Sequence, residues 1–427
     1  MKVLVVGNGG REHALAWKLL QSSKVQQVVC VPGNGGTATL ERCTNLPLMV
    51  DDFEGIRKAV EKNQIDLVVI GPELPLAMGM TDYLQQKNIT VFGPTQTGAQ
   101  IEASKSWAKQ LMQDAGVPTA KSGTFTDDEM DAALAFVGQQ GAPIVIKADG
   151  LAAGKGVTVA ATIEEAVSAI QASFNGQFGL AGECVVVEEF LTGQEASVLA
   201  LTDGKTIVPL LPAQDHKAVG EGDTGPNTGG MGVYAPAPIV TPEMLTQVQE
   251  QVLQPTLAAL QERGIDYRGV LYAGLMISPN GEIKVLEFNC RFGDPETQAI
   301  LPLLDTPLED LLLACAEGRL ADVPLRWKSG ASACVVMAAG GYPGDYKKGD
   351  TITGLDKAEA AGAVVFHAGT RLKDGQVVTD GGRVLGVTAT GHDFDDAFAS
   401  AYAAVDCINF EGRYFRRDIG HRVRSKS

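Results

Sequence analysis

Lys147-Ala148-Asp149-Gly150-Leu151-Ala152-Ala153-Gly154-Lys155-Gly156-Val157 is the stretch from which the fold of this chain is read. It joins two apolar, β-branched runs, 144–147 and 157–160, that predict strands. A glycine-rich loop between two strands can fold its amides over a polyphosphate, with Lys147 and Lys155 adding charge. It is not a Walker A loop, since only three residues separate Gly150 from Gly154 and Lys155 is followed by Gly156 rather than Ser or Thr. Taken alone, the segment reads equally well as an ordinary glycine hairpin with exposed lysines.

Downstream segments give it company. Val185-Val186-Val187-Glu188-Glu189-Phe190-Leu191 reads as a buried strand running into a short acidic and apolar link, with Glu195 shortly after. Backbone groups of such a link can hydrogen-bond an adenine edge, and a carboxylate a few residues on can take ribose hydroxyls. Singly, these acids would be a solvated surface. Residues 270–277 and 283–289 predict a hairpin around Ser278-Pro279-Asn280-Gly281. Period-two alternation is expected to put Ile283, Val285, Glu287 and Asn289 on one face. A carboxylate and an amide oxygen on one face suit a hard cation, although a capped strand end has the same appearance. Arg291-Phe292-Gly293-Asp294-Pro295-Glu296 then brings a guanidinium and carboxylates to the same spot. Between these pieces, the stretch 215–232 carries six glycines and reads as a disordered connection or a mobile lid, in which His216, Lys217 and Asp223 gain partners once ligands bind.

Upstream, strands expected at 2–6, 28–31, 67–70 and 90–92 alternate with helical patterns such as 13–21 and 53–63, and each strand ends in a glycine or proline turn. That is a parallel, doubly wound sheet whose ligands sit beyond the strands' carboxyl ends. Gly7-Asn8-Gly9-Gly10-Arg11-Glu12 resists a dinucleotide reading, because Glu12 stands where the third glycine belongs and the second strand ends Val31-Pro32-Gly33-Asn34 without a ribose-binding acid. A phosphate nest helped by Arg11 is the remaining expectation. Residues 243–262 read as a helix interrupted by Pro255. Beyond 330 the pattern predicts strands at 331–337, 364–368, 377–379 and 384–388, a helix at 394–408 and a basic, solvated tail.

Composition narrows the function classes. With 427 residues, 45% of them apolar, a chain of several domains is expected, and a net charge of -16 opposes nucleic acid and anionic membranes as partners. Seven cysteines without a CxxC pair argue against a disulfide framework or a thiolate zinc site. The start is too short in apolar residues for a signal peptide, and no apolar run approaches the ~20 residues of a membrane span. A cytoplasmic protein is expected.

In this order the pieces resemble the ATP-grasp superfamily, whose two α+β lobes clamp ATP. Across the whole chain the resemblance sharpens to the phosphoribosylamine–glycine ligase family. It is carried by Gly7 to Ala14, by Pro32-Gly33-Asn34-Gly35-Gly36-Thr37, by Gly71-Pro72-Glu73, by His216-Lys217 with Asp223 to Gly232, and by Arg291 to Thr297. The resemblance implies an N-terminal Rossmann-like domain at 1–104, an ATP-grasp domain at 105–328 with a mobile lobe at about 120–192, and a β-rich domain at 329–427. It also implies a monomer using ATP and Mg²⁺, or Mn²⁺, to join glycine to 5-phosphoribosylamine. Lys105, Lys147, Gly154, Lys155, Gly156, Glu188, Glu189, Phe190, Leu191 and Glu195 would then hold ATP, and Glu287 with Asn289 the metal. Arg291, Asp294 and Asp215 would be catalytic or face the glycine ammonium. Gly9, Gly10, Arg11, Asn34, Gly35, Glu73, His216 and Lys217 would take the substrates. One departure is that 271–276 offers no second metal-binding acid.

Overall fold

The computed structural model describes residues 1–151 and 156–425. Strands β1 (Lys2–Gly7), β2 (Gln27–Pro32), β3 (Cys43–Asn45), β4 (Leu67–Ile70) and β5 (Val91–Phe92) form a parallel sheet ordered β3-β2-β1-β4-β5. Leu4 and Val6 enter one apolar core and Val3 and Val5 another, so both faces of β1 are covered, as a doubly wound sheet requires. Strand β3 was not expected: three residues reading Cys-Thr-Asn carry no apolar period.

The turn after β1 differs from the expected nest. Glu12, in the first turn of the Gly10–Leu20 helix, folds back so that its Oε2 accepts the Gly9 N–H at 2.6 Å, while Asp294 Oδ2 accepts the Arg11 N–H at 3.1 Å. Two of the amides a phosphate would need are therefore held by carboxylates, and the nest reading is corrected on that ground. The glycines make room for this acid. A Cβ at Gly7 would lie 2.5 Å from Glu12, and one at Gly71 would lie 2.1 Å from it.

The central part holds two sheets. In the smaller lobe, β6 (Ser122–Thr126), β7 (Ile144–Ala148), β8 (Val157–Ala160) and β9 (Cys184–Glu189) are ordered β6-β9-β7-β8. The chain continues through β10 (Gln194–Asp203), β11 (Ile207–Pro209), β12 (Gln214–Asp215), β13 (Ala218–Gly220), β14 (Thr224–Asn227), β15 (Gly232–Ala235), β16 (Arg268–Ile277) and β17 (Ile283–Asn289). The second sheet is β11-β10-β16-β17. The register between β16 and β17 steps from Gly274↔Glu287 to Leu275↔Val285, leaving Leu286 as an extra residue. This bulge corrects the expected face. Ile283 and Val285 pack into the core, while beyond the bulge the parity inverts, so Phe288 is the core residue and Glu287 and Asn289 lie opposite. Those two still share a face with each other. Pro255 does not break its helix, because a π segment at Gln249–Leu253 precedes the Gln254–Glu262 helix and Pro255 falls in that helix's first turn.

The remaining strands are β18 (Ala331–Ala338), β19 (Val364–His367), β20 (Thr370–Lys373), β21 (Gln376–Thr379) and β22 (Arg383–Gly391), followed by the Phe394–Cys407 helix. The sheet order β12-β15-β18-β22-β19 shows that two strands flanking the expected lid belong to the C-terminal sheet, with Gly232 opposite Val335. The lid itself is a hairpin, β13-β14, tied to the tail. Arg416, 0% exposed, donates to Ala218 O and pairs with Asp223 at 2.9 Å and Asp418 at 2.7 Å, and Arg422 also pairs with Asp223. Asp223 thus has partners without ligand, and the tail is an anchored segment rather than a solvated one. No helix among the described residues is long and apolar enough to cross a membrane.

His216 and His367 are buried, and burial holds both pKa values down at about 4. Unfolded imidazoles titrate near about 6.5, so stability contributed by the neutral rings is complete above that value and is lost as pH falls from about 6.5 toward about 4, on the order of 3 kcal/mol for each ring. Denaturant midpoints measured between about pH 7 and about pH 5 should fall for the wild type and fall less for H216N/H367N. Identical slopes would show that these rings do not titrate with folding.

Candidate functional site

A cavity of about 510 Å³ opens where the three parts of the chain meet, a size within the range of small-molecule sites. Its floor is the face of the β10-β16-β17 sheet that carries Ser197, Tyr272, Glu287 and Asn289, placed by the pairings Ser197↔Gly274, Gly274↔Glu287 and Tyr272↔Asn289. Among the described residues the wall carries seven Lys or Arg and seven Asp or Glu side chains. Six of the seven cations pair with a carboxylate of the protein itself, and the seventh, Lys105, donates to a backbone carbonyl.

One end is built by the smaller lobe and the Lys105–Asp114 helix. Ser104 caps that helix by accepting the Trp107 N–H at 3.1 Å, and Asp149, at the end of β7, accepts the Ser106 N–H at 3.2 Å. A carboxylate at a helix N-terminus is favoured by the free amides and the dipole. The arrangement brings Lys105 to the cavity, its Nζ donating to Gly150 O at 2.8 Å. Burial lowers the pKa of Lys105, with Glu287 and Asp149 opposing the shift. Lys147 Nζ pairs with Glu188 Oε2 at 3.0 Å and donates to Leu286 O at 3.1 Å. Glu188 is 2% exposed and has a second cation, Lys109, 3.2 Å from Oε1.

The other end is an acid cluster around Lys217. Its Nζ donates to Asp215 Oδ2 at 3.1 Å and stands 3.9 Å from Glu195 Oε2. Tyr272 donates to Glu296 Oε1 at 2.7 Å and Ser197 Oγ reaches the same oxygen at 3.3 Å. Burial raises the Glu296 pKa, and Asp215 adds to the rise. Between the two ends lies Arg291, its Nη2 3.0 Å from Glu102 and its Nε 3.5 Å from Glu73 without a hydrogen bond. Burial opposes the charge of Arg291, but Glu102 and Glu73 hold its pKa above the ordinary value.

The expected site residues divide into groups. Lys105, Lys147, Gly156, Glu188, Asp215, Lys217, Glu287, Asn289, Arg291 and Asp294 line the cavity, as do Arg11 and Glu73 from the N-terminal part. Gly154 and Lys155 lie outside the described residues. Glu189 points away, accepting the Lys121 N–H at 3.0 Å and pairing with Lys284 at 3.0 Å, and neither it, Phe190 nor Leu191 lines the cavity. Glu195 stands beside it, 41% exposed. Asp294 does line the cavity, but its oxygens hold the Arg11 amide, Gln298 Nε2 at 2.9 Å and Arg383 at 3.1 Å, which leaves little capacity for a ligand ammonium.

Five residues expected to take substrates are engaged in packing within the protein. Asn34 Nδ2 donates to Asn8 O and His367 O, and its Oδ1 accepts the Gly36 and Thr37 amides, so the whole side chain is a staple to the C-terminal part. A Cβ at Gly35 would lie 2.9 Å from Thr370 Oγ1, and one at Gly10 would lie 2.4 Å from Gln298 Nε2. Gly9 belongs to the same close approach, facing Glu12 and Asp294. His216 is also buried, with Nε2 accepting the Gly420 N–H at 3.1 Å and Nδ1 3.3 Å from Gly232 O.

Sequence reading missed Lys109, Glu102, Tyr272 and Arg383, all in the wall, and brought Glu296 to the spot without giving it a role of its own. Lys109 was within reach, one helical turn beyond Lys105 on the same face. Tyr272 follows from strand alternation once Glu287 and Asn289 are placed. Arg383 gives no local signal.

Comparison with known proteins agrees along the whole chain. The phosphoribosylglycinamide synthetase N domain profile matches residues 1–102, the ATP-grasp (A) domain profile 103–297 and the C domain profile 332–422. A phosphoribosylamine–glycine ligase of Nostoc sp. is 68% identical over 100% of both chains, and one of Allochromatium vinosum is 51% identical over 99% of both. Among solved structures, a phosphoribosylamine–glycine ligase from Thermotoga maritima superposes with a TM-score of 0.85 at 35% identity, covering 98% of this chain and 100% of that one. A biotin carboxylase from Campylobacter jejuni, at 16% identity and a TM-score of 0.73 over 96% of this chain and 92% of that one, shares the fold. With its three parts matched in order and its cavity formed where they meet, the chain belongs to the phosphoribosylglycinamide synthetase family.

Proposed function

We propose that this chain is an ADP-forming ligase that joins glycine to 5-phosphoribosylamine through glycyl phosphate, giving glycinamide ribonucleotide, ADP and phosphate, a step of purine biosynthesis. The observation that carries the reading is one cavity in which Lys105 and Lys147 stand at one end and the Asp215, Lys217 and Glu296 cluster at the other, with Arg291 between them, over Glu287 and Asn289. Units 1–104, 105–328 and 329–427 are the proposed domains, with β12 and β15 crossing into the last.

A carboxylate does not acylate an amine at neutral pH, because oxide is its leaving group. Attack of a glycine carboxylate oxygen on the γ-phosphorus of ATP breaks the bond to ADP and makes phosphate the leaving group. The amine then attacks the glycyl carbonyl, the C–O bond to phosphate breaks, and the amine's surplus proton leaves. Such transfers need positioning and charge neutralisation more than covalent help.

The residues fit both ATP and a hard divalent cation. Glu287 and Asn289 supply two oxygen donors on one sheet face, and among the described residues no cluster of three or more His, Cys, Asp or Glu provides a fuller cage. Phosphate oxygens and water would complete the shell of Mg²⁺ or Mn²⁺, which when bound draws charge from the phosphates. Lys105 and Lys147, with Gly154, Lys155 and Gly156, would hold the phosphates, and the 188–191 backbone with Glu195 the nucleoside. Arg291, in the cavity wall, would offer its guanidinium to the transferring group. Asp215, joined by Glu296 rather than Asp294, would face the glycine ammonium, and Arg11 and Glu73 the phosphoribosyl side. The free state of all seven cysteines supports a reducing, cytoplasmic setting, and the protein would act as a monomer.

The direct test is ADP release that requires both glycine and freshly made 5-phosphoribosylamine, with one amide formed per ADP. Release that is independent of glycine would overturn the reading. Glu287→Gln keeps the shape and removes the charge, so the metal concentration for half-maximal turnover should rise at least about tenfold while the unfolding midpoint stays unchanged. An unchanged metal requirement would remove Glu287 from the metal site.

A further inference from the structure

Lys109 is a buried lysine that no role above absorbs. It is 3% exposed on the Lys105–Asp114 helix, and its ammonium donates to Thr119 Oγ1 at 2.7 Å and reaches Ala120 O at 3.5 Å. Thr119 in turn donates to Val285 O at 2.7 Å, so Lys109 is fixed against β17 at the base of the cavity. Its nearest charge is Glu188 Oε1, 3.2 Å away, and that oxygen has no properly directed hydrogen bond. The other oxygen of Glu188 belongs to Lys147.

This arrangement sets a problem for any ligand that recruits Lys147. If Lys147 turns its ammonium toward a phosphate, Glu188 loses the cation paired with its Oε2, and an uncompensated buried charge is strongly unfavourable. From Lys109 on its helix and Glu188 on β9, we infer that Lys109 is the reserve counter-ion that keeps Glu188 neutralised when Lys147 is drawn to the nucleotide. Lys109 is thus a positioning residue acting through Glu188, and the inference rests on the reading of the cavity as an ATP site.

The groups facing Lys109 are Glu188 and Glu189 from β9, Lys147 from β7, Lys105 from its own helix and Glu287 across the cavity from β17. Burial, with Lys147 adding to it, lowers the Lys109 pKa to about 8, against the pull of Glu188. Withdrawal of Lys147 removes that repulsion and strengthens the need for a proton on Lys109. Nucleotide binding should therefore weaken as pH rises through about 8.

The experiment is equilibrium titration of the full-length protein with a non-hydrolysable ATP analogue and Mg²⁺, by calorimetry, across this pH range. K109M should weaken binding roughly ten- to a hundredfold, the scale expected when one ammonium of a buried pair is lost, and should abolish the alkaline decline. K109R, permanently charged, should bind close to wild type and also lack the decline, which separates Lys109 from Lys105, present in every variant. Thermal unfolding of each variant, without nucleotide, identifies a folding defect, and K109R carries the test if K109M does not fold. Should K109R keep the wild-type alkaline decline, or K109M bind as tightly as wild type, the inference falls while the ATP site stands. Should wild type and K147A bind the analogue equally, the ATP site itself falls and the inference with it.

Discussion

The carboxylate of Asp294 is shared by all three parts of the chain. One oxygen receives the Arg11 amide from the N-terminal part, and the other receives Gln298 from the next turn and Arg383 from the C-terminal sheet. Burial alone would raise its pKa, but Arg383 and Arg11 outweigh it and hold the carboxyl below its ordinary range. Arg11 and Arg383 both stand in the cavity wall, so the same contact that ties the parts together also fixes the positions of two of its cations. Gly9 and Gly10 matter for the same reason. They admit Asp294 and Gln298 to the backbone at distances that a side chain would forbid.

The charge of the cavity is as informative as its shape. The chain carries -16 overall, yet the described wall is balanced. A polyphosphate entering such a space exchanges partners with cations already engaged, instead of neutralising a bare positive surface. That costs some affinity, since each acid left behind must find another partner. In return, the donors are already oriented, which is what stabilising a charged transition state requires.

Much of this was legible in the sequence for definite reasons. The parallel sheet was readable because β1 and β4 are short apolar runs that end in glycine turns. Glu287 and Asn289 were readable as neighbours because a spacing of two survives whatever happens upstream of them. Their relation to Ile283 and Val285 was not, because the bulge at Leu286 is a property of the pairing with β16 and not of β17 alone. A glycine announces that something comes close without saying what. At Gly35 the neighbour is Thr370, and at Gly10 it is Gln298, where a substrate had been expected. The tail arginines failed in the opposite direction. A run of basic residues looks like solvated surface until the fold brings Asp223 against it.

Strands β12 and β15 are made by the ribosome well before their sheet exists. Strand β15 pairs on one side with β12 and on the other with β18, and β18 pairs with β22. Until residues 331–391 have emerged, Gly232 to Ala235 therefore present a row of unsatisfied amides and carbonyls beside an unpacked Tyr234, a side chain fully buried in the finished protein. Such an edge is a template for mispairing with another nascent chain. Asn227 to Gly229, held between these strands, therefore take their place in the cavity wall only once the C-terminal sheet is complete.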